Sequence, residues 1–374
     1  MPILKLSPAC KGYLWGGTKL KEAYGKEFDG EILAETWELS AHPDGPSQVA
    51  AVFGDDALAA RLPLSFPEYL ALAGRGVLGT DCARFADFPV LIKLIDARRP
   101  LSVQVHPDDA QAQALEGGAA VGADGASGGT DGVSGGADGP SAGADGSSAV
   151  TGDVSAAQTR FSGKTEAWHV LEAEPGAFLY LGFREPVTEQ EFRARIADGT
   201  LTEVLNRQEV APGETYFIPA GTLHAIGAGL VIAEIQQSSN LTYRVFDYGR
   251  LGADGKPRAL HVEKAVACTR REPPRQFDFG GHLASCEFFT ADRFAARDRR
   301  IRGAAPFRWF RRPEPYEGVC GPESFVSILV TRGEGTLLCG GCSVPLQKGD
   351  SFFLPADSGP FRIDGNAEGV LTTV

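Results

Sequence analysis

The residues best suited to chemistry in this chain of 374 residues lie in short, well-spaced segments. The first is Ser102-Val103-Gln104-Val105-His106. On an extended strand alternate side chains share a face, so Ser102, Gln104 and His106 point one way and the valines the other. If the valines face a core, the polar three face a cavity. An amide oxygen then lies beside an imidazole nitrogen, as a metal ion would need. The other reading is a half-exposed edge strand with a surface histidine. The second segment is Gly213-x5-Pro219-x-Gly221-x2-His224. Its glycines and proline suit a turn, a strand and a tight corner that presents His224 inward.

The elements that must hold these residues are mostly short strands. Pro89 to Ile95 reads as a buried strand, and Trp168 to Phe183 and Thr215 to Pro219 continue the β signal. Helical signals are fewer. Ser65-Phe66-Pro67-Glu68 and Thr188-Glu189-Gln190-Glu191 both read as capping boxes, each opening an amphipathic stretch. The second stretch is expected to end near Gly199. The fold class is mainly β, with a small helical annex.

An internal repeat is present. Gly213-Glu214-Thr215-Tyr216-Phe217-Ile218-Pro219-Ala220 matches Gly349-Asp350-Ser351-Phe352-Phe353-Leu354-Pro355-Ala356. Two related β-barrels account for it, with a boundary near residue 270, where arginine and proline cluster. The same offset maps His224 onto Pro360, so the second barrel is expected to bind no metal. One segment stands apart. Residues 117–158 hold 13 of the 47 glycines and five aspartates, with no aromatic, lysine or arginine. Such a stretch buries too little to offset its ordering entropy and reads as a disordered insertion.

The formal charge of −12 argues against a nucleic-acid partner and against attraction to an anionic membrane. No apolar run approaches the length of a membrane span, and the first residues lack the apolar core of a signal peptide. Seven cysteines without framework spacing suit free thiols in a reducing cytoplasm, and Cys339-Gly-Gly-Cys342 reads as a glycine turn between strands.

The spacing that ends at His224 resembles the second cupin motif. Gln104-Val105-His106 and the distant Glu166 resemble the first, with the insertion between them. Further segments extend the likeness: Gln104 to Asp109, Gly163-Lys164-Thr165-Glu166-Ala167-Trp168, Ile218 to Gly227, and Glu234-Ile235-Gln236-Gln237-Ser238-Ser239. With Trp15-Gly16-Gly17, Glu35-Thr36-Trp37-Glu38-Leu39-Ser40 and Tyr243 to Asp247, the chain resembles type I mannose-6-phosphate isomerases of the short bacterial form. The resemblance implies two cupin-type jelly-roll barrels, a catalytic metal-binding unit over 1–270 and a metal-free unit over 271–374. It implies one Zn²⁺ per chain, held by Gln104, His106, Glu166 and His224, in an enzyme that interconverts mannose 6-phosphate and fructose 6-phosphate through an enediol.

By the same carry-over, Glu234 is the general base, Lys164 a substrate-contacting acid/base residue and Arg244 the group that assists ring opening. A lysine beside Zn²⁺ is also expected to have its pKa pulled down. Candidate substrate contacts are Lys93, Ser102, Lys164 and Arg244, with Arg184 further off and Trp15 and Tyr243 as walls for the sugar. One departure stands out: Asn240 occupies a position where many relatives carry aspartate, and an amide is no base at neutral pH. His169, of opposite parity to Glu166, is expected to face away from the metal. His42 reads as a turn residue, and His261 and His282 receive no role. Two rival readings are a non-catalytic metal-bearing cupin that senses a sugar phosphate, and an Fe-dependent cupin oxygenase. Oligomeric state is not legible in the sequence.

Overall fold

A computed structural model of the chain describes residues 1–117, 160–251, 255–302 and 309–374. The expected insertion, 117–158, lies outside the described residues apart from Gly117, which closes the helix Asp109–Gly117. Among the described residues, no helix is long and apolar enough to cross a membrane.

Three antiparallel sheets build the molecule. A six-stranded sheet runs Thr215–Ile218, Glu166–Ala173, Leu230–Gln237, Val90–Ala97, Glu35–Leu39 and Ala9–Lys11. A five-stranded sheet runs Leu205–Glu209, Phe178–Phe183, His224–Ile226, Val103–Val105 and Tyr243–Phe246. Apolar side chains from both, including Ile95, Trp168, Leu181, Ile226 and Ile232, form one buried cluster. Val103 and Val105 are buried in a second cluster with Phe183, Phe192 and Val245. The valines of the first motif therefore do face a core, which leaves Gln104 and its neighbours on the other side.

The third sheet has eleven strands, and two separate barrels do not emerge from the strand pairing of the described residues. It draws strands from both ends of the chain, and no pairing closes any of the three sheets among the described residues. Leu4, Lys5 and Leu6 pair with Phe353, Phe352 and Ser351, while the other side of Ile3–Ser7 pairs with Gln48–Phe53. The physical reason is an open edge. Ser351–Leu354 is buried along its length and needs a partner on each side; the N-terminal strand supplies the second.

The repeat itself survives in detail. Gly213 and Gly349 take φ +93° and +92°, each opening a four-residue strand, and Gly221 and Asp357 turn the matching corners at φ +84° and +63°. The helices are as brief as expected. Ser65 and Glu68 form both halves of a capping box ahead of Phe66–Ala73. Thr188 forms only one half: its hydroxyl accepts from the Glu191 N–H, while the Glu191 carboxylate lies 3.7 Å from Arg195. The helix it caps ends at Ala197, followed by Gly199 in the left-handed region. Cys339 and Cys342 pair across a two-glycine turn.

Candidate functional site

The two sheets that sandwich the Trp168 cluster bring three distant residues together. Glu166 begins a strand of the six-stranded sheet. His224 begins a strand of the five-stranded sheet, and His106 follows the strand Val103–Val105 beside it. One donor atom from each of His106, Glu166 and His224 lies within 4.8 Å of the others, and all three residues are buried. Backbone contacts aim both rings. His106 Nδ1 bonds the Leu241 carbonyl and His224 Nδ1 the Thr222 carbonyl, each at 2.8 Å. A ring that donates through Nδ1–H keeps its lone pair on Nε2, the arrangement common to metal-ligating histidines.

Those lone pairs meet a carboxylate. His224 Nε2 lies 3.2 Å from Glu166 Oε1, and neither atom has a hydrogen-bond partner despite full burial. Orphaned buried polar atoms are costly, and two acceptors facing one another call for a cation between them. Burial, reinforced by the Lys164 ammonium, drives His224 down to about 3 and His106 well below the usual histidine range. Both rings are neutral, as ligands must be. Burial also raises Glu166, against the pull of the Lys164 ammonium that bonds its Oε2. The donor set of two imidazoles and a carboxylate fits a divalent metal such as zinc.

Gln104 faces His224 in the register on one side and Arg244 on the other. Its Oε1 lies 3.4 Å from the Ser102 hydroxyl, and the Arg244 Nε donates to that hydroxyl at 3.3 Å. A cavity of about 1730 Å³ is lined in part by Trp15, Lys93, Gln104, Lys164, Glu234 and Arg244. Lys164 bonds Glu166 Oε2, lies 3.2 Å from His106 Nε2 and comes within 3.6 Å of Glu234 Oε1. Glu234 also accepts the Trp168 indole N–H at 2.8 Å and meets the Lys93 ammonium at 3.2 Å. Burial pushes Glu234 up, but Lys164 and Lys93 outweigh it and hold the carboxyl below the usual carboxylate range. It is ionised at neutral pH.

A probable mannose-6-phosphate isomerase of Bacillus subtilis is 30% identical to this chain, over 99% of the chain and 98% of the relative. The chain belongs to the type I mannose-6-phosphate isomerase family. The model for the catalytic domain of type I phosphomannose isomerase matches residues 3–121, and that for the cupin domain of mannose-6-phosphate isomerase matches 320–374. A mannose-6-phosphate isomerase of Streptococcus mutans is also 30% identical, over 95% of this chain and 93% of its own. The crystal structure of mannose 6-phosphate isomerase from Bacillus subtilis superposes with a TM-score of 0.76 at 28% identity, covering 100% of both chains.

Within this family fold, Lys93, Ser102, Gln104, Lys164, Glu234 and Arg244 line one cavity, and Lys164 contacts Glu166 and His106 behind its wall. Trp15 and Tyr243 also line it, Tyr243 donating its hydroxyl to Glu116 at 2.8 Å. Arg184 does not line it; its guanidinium donates to the Glu203 carbonyl. His169 turns away to Thr215, 2.8 Å from its Nδ1, and Asn240 donates to Asp44 at 3.1 Å.

Sequence reasoning passed over several cavity residues of this isomerase family member. Glu116 and Lys264 pair at 2.8 Å behind Tyr243, and His261, given no role, accepts the Arg244 backbone N–H at 3.2 Å. Glu35 and Trp37 also line the wall. For these two a signal was present in the Glu35–Ser40 segment, which the sequence marked without assigning work to its side chains.

Proposed function

We propose that this chain interconverts mannose 6-phosphate and fructose 6-phosphate and holds one Zn²⁺ on Gln104, His106, Glu166 and His224. One observation carries the reading: buried, mutually facing metal-donor atoms lie directly against Lys164, which with Glu234 and Lys93 forms a charged row on the cavity wall. The names of the full-length relatives support the isomerase over an oxygenase or a sugar-phosphate sensor.

When bound, zinc supplies positive charge that stabilises the enediolate formed along the way. The proton traffic falls to side chains. Ring opening moves the proton of the O1 hydroxyl to the ring oxygen, a transfer assisted by the Arg244 guanidinium. Isomerisation then moves one proton from C2 to C1 and a second from O2 to O1. Glu234, ionised and facing the cavity, takes the C2 proton and returns it at C1. Lys164, 3.6 Å away, donates to the sugar oxygen that bears charge.

Lys93 sits between the carboxylates of Glu35 and Glu234, where a phosphate dianion would be repelled. It serves the sugar end. Arg244 and Ser102, in mutual contact at 3.3 Å, serve the phosphate. All seven cysteines are free thiols, which supports a reducing, cytoplasmic setting.

A coupled assay tests the reading, with mannose 6-phosphate supplied and fructose 6-phosphate followed, before and after chelation. No turnover after zinc reconstitution sinks the isomerase. Turnover that survives complete metal stripping sinks the metal assignment alone.

A further inference from the structure

A row of side chains crosses the six-stranded sheet behind the reacting groups. Trp37 pairs with Lys93, Lys93 with Glu234 and Glu234 with Trp168, so four adjacent strands contribute one residue each at the same level. Three of the contacts along it are direct. The Lys93 ammonium lies 4.9 Å from the Trp37 ring centroid and 3.2 Å from Glu234 Oε1, and the Trp168 indole donates to Glu234 Oε2 at 2.8 Å. Glu35 stands at the end of the row. Its Oε2 accepts the Trp37 indole N–H at 2.9 Å and lies 3.7 Å from the Lys93 ammonium.

Glu35 and Trp37 share a face because they are two apart on one strand, and both line the cavity. The indole N–H thus fixes the carboxylate that in turn fixes the ammonium. We propose that Glu35 is a positioning residue, which acts through Lys93 to hold the ammonium on Glu234. The proposal rests on the isomerase reading above and deepens it.

Two further ammonium groups stand near Lys93: Lys164 shares Glu234 Oε1 with it at 3.6 Å, and Lys11 lies over the same Trp37 ring at 4.9 Å. Glu35 and Trp37 come from one neighbouring strand, Glu234 from the other and Glu166 from the strand beyond, while His42 and His106 feel its charge from flanking loops. Burial pushes Lys93 down, but Glu35, then Glu234 and Glu166, outweigh it and hold the ammonium above the usual lysine range. Glu35 is the largest of these counter-charges. Without it, Lys93 keeps the burial penalty and loses one of the two carboxylates within 4 Å of its ammonium.

The test is Glu35→Gln in the full-length zinc-loaded enzyme. Glutamine can still accept from the Trp37 indole, so shape and packing are retained while the charge is removed. The expected result is unchanged zinc content, kcat lower by about tenfold and KM within about twofold. An alkaline limb should also enter the kcat profile, displaced downward by about one pH unit or more relative to wild type. Glu35→Asp keeps the charge, so its alkaline limb should stay near the wild-type position. Trp37→Phe, which removes the indole donor, should lower kcat in the same direction and covers the case in which Glu35→Gln fails to fold.

A Glu35→Gln enzyme with wild-type kcat and profile overturns the proposal. Equal loss in the Gln and Asp variants with no change of profile also overturns it, because packing alone would then explain the loss. Failure of the underlying isomerase reading would look different: the wild-type enzyme itself would be inactive with zinc bound.

Discussion

Substituting Lys26 by methionine should unfold this protein far more readily, although Lys26 lies outside the cavity. Lys26 and Glu38 form a buried pair, 8% and 0% exposed, with Nζ 2.7 Å from Glu38 Oε2. The same ammonium donates to the Gly349 carbonyl, and the Thr36 hydroxyl donates to Glu38 Oε1 at 2.6 Å. Methionine fills the space of the lysine stem but leaves the Glu38 carboxylate with the Thr36 hydroxyl as its one remaining side-chain donor. Breaking a buried pair from one side costs about 3–5 kcal/mol, and removing the donor from a buried carbonyl adds about 1 kcal/mol. The sum, about 4–6 kcal/mol, is a large part of the ~5–15 kcal/mol that holds a typical domain together.

Urea unfolding followed by fluorescence measures the loss, with the double variant Lys26→Met/Glu38→Leu as the control. Replacing both partners removes the stranded charge, so the double variant should recover most of the stability and lie within about 2 kcal/mol of wild type. If Lys26→Met costs under about 1 kcal/mol, the pair is not buried as described. If the double variant is no better than the single one, the cost does not come from an unpaired carboxylate. Either result refutes the reasoning.

Three further outcomes follow from the site and its surroundings. Gln104→Ala should lower zinc content measured by elemental analysis, and His224→Ala should lower it more, since it removes an imidazole whose Nε2 is aimed at Glu166. His169 is held down to about 4, mainly by burial, against about 6.5 when unfolded. The unfolded chain therefore binds the extra proton first, and the contribution of this residue is intact above pH ~6.5 and lost as pH falls toward 4. The loss amounts to about 3 kcal/mol. His169→Asn should remove that part of the slope in a stability–pH series, whereas an unchanged slope would place the ring in solvent. Arg244→Lys should raise KM more than tenfold at little cost in stability, because a lysine cannot reach the Ser102 hydroxyl and the Ala259 carbonyl at once as the guanidinium does; equal KM would remove Arg244 from the substrate.

The two histidines of the buried group were legible in local patterns, a strand of alternating parity for His106 and a glycine–proline corner for His224, whereas Glu166 entered only through the family resemblance. The turn–strand–corner repeat was legible for the same reason, down to the matching left-handed residues Gly213 and Gly349. What sequence could not show was pairing between distant strands. The Lys93–Glu234 contact depends on the register of Val90–Ala97 against Leu230–Gln237, and nothing local to either strand encodes it. The same limit explains the barrels. A repeat specifies how each copy turns, but not that Ile3–Ser7 takes the free edge of Ser351–Leu354. Parity also failed to rank Glu35 against Glu38, since the strand Glu35–Leu39 is buried on both faces and carries an acid on each.

That doubly buried strand ties the far end of the chain to the chemistry. One face carries Glu35 and Trp37 to the cavity wall, against Lys93. The other carries Thr36 and Glu38 to Lys26, whose ammonium reaches the Gly349 carbonyl in the turn that opens Ser351–Leu354. Ser351 adds a hydroxyl bond to the Glu38 carbonyl at 3.4 Å. The left-handed Gly349 lets this turn approach closely: a Cβ there would lie 2.1 Å from the Tyr24 carbonyl oxygen. The second copy of the repeat puts Pro360 where the first has His224, and its turn braces the back of a strand whose front carries Glu35 and Trp37 against Lys93. A rigid backing of this kind is what an active site built on a sheet requires, because a shift of about 1 Å in Lys93 would cost more in rate than in stability.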